Sequence, residues 1–295
     1  MIIIQYNFIV IHCAILYRSN AFRPIYGRIH ELRAFIPSGT PFLALTATAT
    51  SSVKLEVIEK LDMTGCANVS VSPNRPNIFY EVKVRTDLSD LDDIVQSLKV
   101  SNIKAERIII YCRSLDMCAD LYEYFQDALQ HQSYYPLSAE HVASNRLYGM
   151  FHAYTPQENK SAILSSLGDH NGVVRVVFAT VALGMGVNMA GVNRIIHYGA
   201  PHSIEDYMQE SGRAGRSGEQ ALSIVYWKPN DAPLRKELKS NRDREIAAVR
   251  HYLENSKACR RVQLLNYFDP VFTESMQVLD KSVCCDVCKN EVVKE

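Results

Sequence analysis

The chain has 295 residues, 47% of them apolar and 22% charged, a composition that supports a full core and, at this length, two domains, and excludes intrinsic disorder. Its 32 Lys and Arg are matched by 32 Asp and Glu, so no whole-molecule field draws it onto a polyanion and any nucleic-acid contact has to be local. Of the eight cysteines, Cys13, Cys66, Cys112 and Cys118 are scattered, while Cys259, Cys284, Cys285 and Cys288 crowd the end of the chain, which fits a metal site better than a disulfide framework.

The opening MIIIQYNFIVIHCAILY is interrupted by Gln5, Asn7 and His12. It has neither a basic leader nor a small-residue cleavage site, falls short of the ~20 apolar residues of a membrane span, and reads as a buried strand. Residues 41–62 read as strand, loop and helix, with hydroxyls at Thr50, Ser51 and Ser52 to cap the helix and an apolar stripe of Val53, Val57, Ile58 and Leu61. Pro73 and Pro76 mark SPNRPNIFY as irregular, so residues 72–86 read as a linker. From Arg107 a βα unit follows: RIIIYC as strand, Ser114 as cap, and Cys118, Leu121, Tyr122, Phe125 and Leu129 on one helical face. Thr155, Pro156, Gln157 and Glu158 combine a capping box with proline at the first helical position. RVVFAT (175–180), RIIHYG (194–199), a helix opened by Ser203 with Asp206, and ALSIVYW complete the series. Strands alternating with helices at this spacing predict an α/β fold with a doubly wound parallel sheet. Ligands of such sheets sit at the carboxyl ends of strands, and the loops ATVALGMGVN and GRAGRSG are expected to leave those ends.

In QESGRAGRSG, residues 209–218, two arginines three apart lie among three glycines. Glycine lets backbone approach a phosphate and a guanidinium forks onto its oxygens, but the string alone reads equally well as an exposed basic turn. ALTATAT, IIIYCRS, FATVALGMGVN with HYGAP, and YMQESGRAGR, in that order, resemble successive motifs of a RecQ-family DNA helicase, and GMGVN, HYGAP and CCDVC resemble the Werner-type subgroup most. The similarity runs from about Phe22 to Lys289.

The resemblance implies a motor of two RecA-like domains, with ATP between them and single-stranded DNA across their top. Residues 1–71 would be a remnant of the first domain, 72–86 the linker, 87–230 the second RecA-like domain and 231–295 a small helical zinc-binding subdomain. Arg216, helped by Arg213, would be the arginine finger that offsets charge developing on the γ-phosphate, with Gln209 positioning the loop. Gly184, Gly186 and Asn188 would line the nucleotide. Arg113, Ser114 and Thr180 would hold DNA phosphates, and Thr46 and Thr48, in the motif that couples the domains, would join them. Each hydroxyl in this set reads equally well as a loop hydroxyl or a helix cap.

The sequence also departs from the family. None of its thirteen glycines is followed by lysine, so no P-loop cradles a triphosphate, and no Asp-Glu pair is present for magnesium. Where the family reads DEAH this chain reads IVIHCAILYRSNAF, with His12 and Cys13 alone in register. Most of the first domain's ATP and Mg2+ site is therefore missing, and the chain by itself is expected to neither hydrolyse ATP nor unwind duplex. The incomplete sheet leaves an exposed edge that the apolar N-terminal run could cover.

Cys284, Cys285 and Cys288 with Cys259 supply four thiolates for a tetrahedral Zn2+, a structural ion for a tail too small to build its own core; free thiols are the alternative. Between Asp231 and Arg261 nine basic residues (Arg235, Lys236, Lys239, Arg242, Arg244, Arg250, Lys257, Arg260, Arg261) face five acids. This basic helical platform, Arg260 and Arg261 included, is expected to touch DNA, although solvated helix faces show the same pattern. Tyr134 and Tyr135 lie in a long connection that could stack on a base or form an ordinary loop. The expected function is that of the C-terminal portion of a 3′ to 5′ ATP-dependent DNA helicase of repair and recombination. It would bind single-stranded or forked DNA, reside in the nucleus and have no membrane partner. A non-catalytic, zinc-stabilised DNA-binding protein is the alternative, and an RNA helicase is disfavoured by the CRR and CCDVC tail.

Overall fold

The computed structural model describes residues 2–5, 8–12, 31, 34–37, 39–46, 49–180, 183, 189–233, 240–274 and 280–293. The chain divides into two units, the first of residues 1–74 with 262–277 and the second of 75–261 with 278–295.

In the first unit, β1 (Ile2–Gln5), β2 (Phe8–His12) and β3 (Phe42–Leu45) form a sheet in that order. β1 runs antiparallel to β2, and β2 runs parallel to β3 with Ile9 opposite Phe42. The apolar N-terminal run thus makes two strands, the first of them at the edge of this small sheet. Helix α1 (Ser51–Lys60) starts on Thr50, whose hydroxyl accepts from the Val53 amide at 3.3 Å, and buries Val57, with Leu61 buried just past its end.

The second unit is built around β4 (Ile78–Val84), α2 (Asp92–Ser101), β5 (Arg107–Cys112), α3 (Leu115–Leu129), β6 (Tyr148–Phe151), α4 (Gln157–Gly168), β7 (Val176–Ala179), β8 (Val192–Tyr198), α5 (Ile204–Ser211) and β9 (Ala221–Trp227). The six strands pair in the order β4-β9-β8-β5-β7-β6, every pair parallel. RIIIYC is buried at all its positions, as expected of a central strand covered by helices on both faces. On one face Leu91, Ile94 and Leu98 join Cys118, Leu121, Phe125 and Leu129 over Phe178 and Tyr148, with the Phe125 and Phe178 rings edge-to-face at 4.9 Å. Helices α6 (Asn241–Glu254), α7 (Arg260–Phe268), α8 (Val271–Glu274), α9 (Lys281–Cys284) and α10 (Asp286–Val292) follow; of these, α7 from Val262 onward and all of α8 belong to the first unit.

Two local expectations are corrected and one open pair of readings is decided. The boundary between the units, after Asn74, falls within residues 72–86, but this segment is not irregular throughout: Ile78–Val84 is an edge strand in register with Ala221–Trp227. Its alternation buries Ile78 and Tyr80, and its partner strand lies too far along the chain for local patterning to reveal it. Helix α4 has no capping box, because the Thr155 hydroxyl accepts from the His152 amide and donates to the Met150 carbonyl, closing the turn before the helix. Tyr134 is buried and stacked on His141 with ring centres 4.1 Å apart, so its ring belongs to the protein rather than to a base.

Candidate functional site

Helix α5 organises the arginine loop. Ser203 caps it by accepting from the Asp206 amide at 3.0 Å, and Glu205 and Asp206 complement the positive end of its dipole. Ile204, Tyr207, Met208 and Ser211, at helical spacing, face the sheet, where Ser211 shares a hydrogen bond of 2.9 Å with Ser223 of β9. Glu210 is buried on the same helix and meets His197 of β8 at 2.8 Å, while the His197 ring stacks on Tyr111 of β5 at 5.3 Å. Burial pushes the Tyr111 hydroxyl well above its usual pKa; the Glu210 charge adds to the rise, and Arg213 and Arg216 oppose it. His197 and Tyr111, from two neighbouring strands, thus lie beside Glu210 near the end of α5.

The loop beyond α5 is fixed by side chains from the start of β4. Arg75 donates to the carbonyls of Gly212 at 2.8 Å, Ala214 at 3.2 Å and Gly215 at 3.0 Å. Asn77 donates to Gly215 at 2.8 Å and Glu219 at 2.7 Å. Gly215 has φ +56°, and a Cβ there would lie 2.5 Å from both the Asn77 amide nitrogen and the Glu219 carbonyl, so the close approach requires glycine. The loop does not leave a carboxyl end of a strand, contrary to the sequence expectation. It runs into the first residue of β9, and the Gly215 amide donates to Val192 at the start of β8 at 2.9 Å. Within it Arg213 is buried and Arg216 exposed. Partial burial and the like charges of Arg213 and Arg75 hold Arg216 below the usual arginine pKa. Arg213 and Arg216 of the loop, with Arg75 beside them, make a local positive field that an anion relieves.

Of the other sequence-derived candidates, Gln209 is exposed on α5 beside this loop. Ser114 caps α3 by accepting from the Met117 amide at 3.1 Å. Arg113 donates to the carbonyls of Ala200, at 3.4 Å, and Asp231, and burial lowers its pKa. Because Tyr111 pairs with Ala179, Arg113, Ser114 and Thr180 all leave the same edge of the sheet. Thr46 follows β3 in the first unit and is exposed. Thr48, Gly184, Gly186 and Asn188 lie outside the described residues.

The four late cysteines converge. Their sulfurs all lie within 4.8 Å of one another, with Cys259 3.6 Å from Cys284 and 3.9 Å from Cys285. A tetrahedral ion with Zn–S bonds of ~2.3 Å has S···S edges of about 3.8 Å, which these separations match. Hydrogen bonds from the thiols of Cys259 and Cys284, then from the amides of Cys288 and Arg260, favour Cys285 as thiolate. Burial, and then Cys285 beside it, push Cys288 up to about 12. A divalent cation held there would remove that resistance and keep all four as thiolates.

Arg260 and Arg261 do not face DNA, which corrects their sequence assignment: their side chains hold this centre in place. Arg260, 3% exposed, forks onto Asp286 at 3.1 and 3.3 Å and donates to the carbonyls of Tyr252, Leu253 and Asn255. Asp286 in turn accepts from the Val82 amide of β4 at 3.1 Å. Arg261, 1% exposed, donates to Arg75, Ile78 and Cys284 carbonyls and lies over the Tyr80 ring. Arg250 is likewise engaged, with Ala232 and Glu254; Arg242, which meets His202 and Glu245, is exposed, as are Arg244 and Lys257. Arg235, Lys236 and Lys239 lie outside the described residues. Sequence reasoning missed Arg75, Asn77, Tyr111, His197 and Glu210, whose partners are distant in sequence or lie on another element.

No described helix is long and apolar enough to cross a membrane. Residues 88–218 match the helicase conserved C-terminal domain, and residues 223–289 match the RecQ zinc-binding domain. The chain is similar to the ATP-dependent DNA helicase hus2/rqh1 of Schizosaccharomyces pombe, 33% identical over 293 residues that cover 95% of this chain and 20% of that protein. It is also similar to the RecQ-like DNA helicase BLM of Xenopus laevis, 32% identical over 283 residues covering 92% of this chain and 19% of that one. The chain therefore spans about a fifth of the length of these two relatives. The solved structure of S. cerevisiae Dbp5 bound to RNA and ADP BeF3 shares the fold, with a TM-score of 0.55 at 14% identity, covering 84% of this chain and 57% of that one. The six-stranded parallel sheet has the RecA-like helicase C-terminal fold, and with a RecQ zinc-binding domain directly behind it the chain belongs to the RecQ family of helicases.

Proposed function

We propose that this chain supplies the arginine-bearing wall of an ATP-dependent, 3′ to 5′ DNA helicase, stabilised by a structural zinc ion. The observation that carries the reading is the arginine loop: Arg216 is exposed on a backbone tied down by five hydrogen bonds from Arg75 and Asn77, so its charge is placed before any nucleotide arrives. Arg216 would face the γ-phosphate with Arg213 behind it, Gln209 would steady the loop, and Gly184, Gly186 and Asn188 would border the nucleotide. Arg113, Ser114, Thr180, Thr46 and Thr48 would meet the phosphates of single-stranded or forked DNA. Cys259, Cys284, Cys285 and Cys288 would hold zinc, whose contribution is folding free energy rather than chemistry.

The 295 residues contain no Gly-Lys step and no Asp-Glu pair, so they do not fit a complete triphosphate and magnesium site. By itself the chain binds DNA and does not turn over ATP; in that sense it acts alone as a zinc-stabilised DNA-binding protein. We further propose a nuclear role in DNA repair and recombination; the names of its relatives give DNA helicase activity alone. The test is a graft of residues 75–295 into the fission yeast relative in place of the matching segment. The graft should unwind 3′-tailed but not 5′-tailed duplexes, and Arg216→Ala should abolish ATP hydrolysis while leaving DNA affinity intact. A graft whose ATPase survives Arg216→Ala would refute the reading.

A further inference from the structure

The segment that opens β4 is gripped from two sides. From one side Arg261 donates to the Arg75 carbonyl at 2.6 Å and the Ile78 carbonyl at 2.6 Å, and the same guanidinium reaches the carbonyl of Cys284, a member of the thiolate cluster, at 3.4 Å. From the other side the side chains of Arg75 and Asn77 hold the carbonyls of Gly212, Ala214, Gly215 and Glu219. An unbroken path of charged and amide hydrogen bonds therefore joins Cys284 to the residue preceding Arg216. Every member lies in the second unit.

We infer that Arg261, Arg75 and Asn77 form a positioning relay through which metal loading of the four cysteines sets the order of the arginine loop. With the cluster closed, the Cys284 carbonyl is fixed, Arg261 is held 1% exposed over the Tyr80 ring, and the Arg75–Ile78 turn keeps the register in which both side chains reach the loop. With the cluster open, Arg261 loses the Cys284 carbonyl as a partner and the turn slackens. Lysine cannot substitute for Arg75, because an ammonium has no planar fork to span three carbonyls. The inference rests on the reading of Arg216 as a nucleotide contact for its functional meaning, but the coupling itself is a property of the protein without nucleotide.

Hydrogen exchange on the full chain tests it, read at amides 212–219, with the cluster amides 284–289 and the strand Arg107–Cys112 as references. Stripping zinc with a chelator should speed loop exchange by about tenfold or more while the strand stays protected. Zinc-loaded Arg75→Lys should show the same faster loop exchange with one zinc still bound per chain, and chelation should then add little. Linkage requires the reverse effect too: Arg75→Lys should bind zinc several-fold more weakly in equilibrium competition with a chromogenic chelator. If chelation unfolds the whole second unit, strand exchange will report it, and the zinc-loaded variant and its zinc affinity decide alone. A loop that stays protected when cluster amides open, or zinc affinity unchanged in Arg75→Lys, overturns the relay. Neither result depends on whether Arg216 meets a phosphate, so the two readings fail separately.

Discussion

Replacing Arg260 by alanine separates a structural arginine from a DNA contact. The change removes a forked ion pair with Asp286, at 3.1 and 3.3 Å, and three donations to the carbonyls at the end of α6. Deleting one partner of a buried pair costs about 3–5 kcal/mol, since the other charge is left unpaired. The Asp286 side chain is 16% exposed and keeps the Val82 and Val287 amides as partners, which places the expected loss toward the lower end of that range. For a unit of this size the loss corresponds to a fall in Tm of roughly 10 °C. Trp227, the single tryptophan, is 8% exposed on β9, so its fluorescence reports unfolding of the second unit in urea. The companion measurement is single-stranded DNA affinity against salt. Removing a side chain that neutralises a phosphate would reduce the slope of log K by about 0.7, whereas removing a buried structural arginine leaves it unchanged. Arg260→Lys sharpens the contrast, because lysine keeps the charge but cannot fork, and should lose most of the stability. A variant of full stability with a shallower salt slope would refute the reasoning.

Gly215→Ala forces a side chain into φ +56° and against Asn77 and Glu219, and should destabilise the second unit by about 2–4 kcal/mol in the same urea assay. Cys285→Ser should reduce bound zinc well below one per chain by metal analysis, because the sulfur that the other thiols and amides favour as thiolate is gone. Burial, then Arg242 and Arg113, hold the His202 pKa below its ordinary 6.5, against weaker opposition from Asp206 and Glu210. The folded protein thus keeps His202 neutral while the unfolded chain takes up a proton below about pH 6.5, so this part of the stability is present above that pH and lost as pH falls. His202→Gln should flatten the drop in urea midpoint between about pH 7.5 and about pH 5.5.

Much of the fold is legible in the sequence because its strands are short apolar runs bounded by caps and glycines. RIIIYC and ALSIVYW coincide with β5 and β9, and Ser114 and Ser203 cap the helices they precede. The edge strand IFYEVKV is hidden by the prolines before it and by a partner more than a hundred residues away. Charge counting places Arg260 and Arg261 on a basic surface, because a tally of signs carries no information about the carbonyls and the Asp286 carboxylate that claim them. The cysteine cluster is legible for the opposite reason, since three of its four ligands, Cys284, Cys285 and Cys288, lie within one short stretch of the chain. His197, Glu210 and Tyr111 come together only when β5, β8 and α5 pack, and no spacing in the sequence announces that.

The most direct test measures ATP hydrolysis by the purified, zinc-loaded 295-residue chain under conditions where it is seen to bind single-stranded DNA. Bound DNA without DNA-stimulated hydrolysis is expected, with Arg216→Ala indistinguishable from the unaltered chain. Hydrolysis that co-elutes with the protein, rises on adding DNA and disappears in Arg216→Ala would show instead that these residues build a whole nucleotide site.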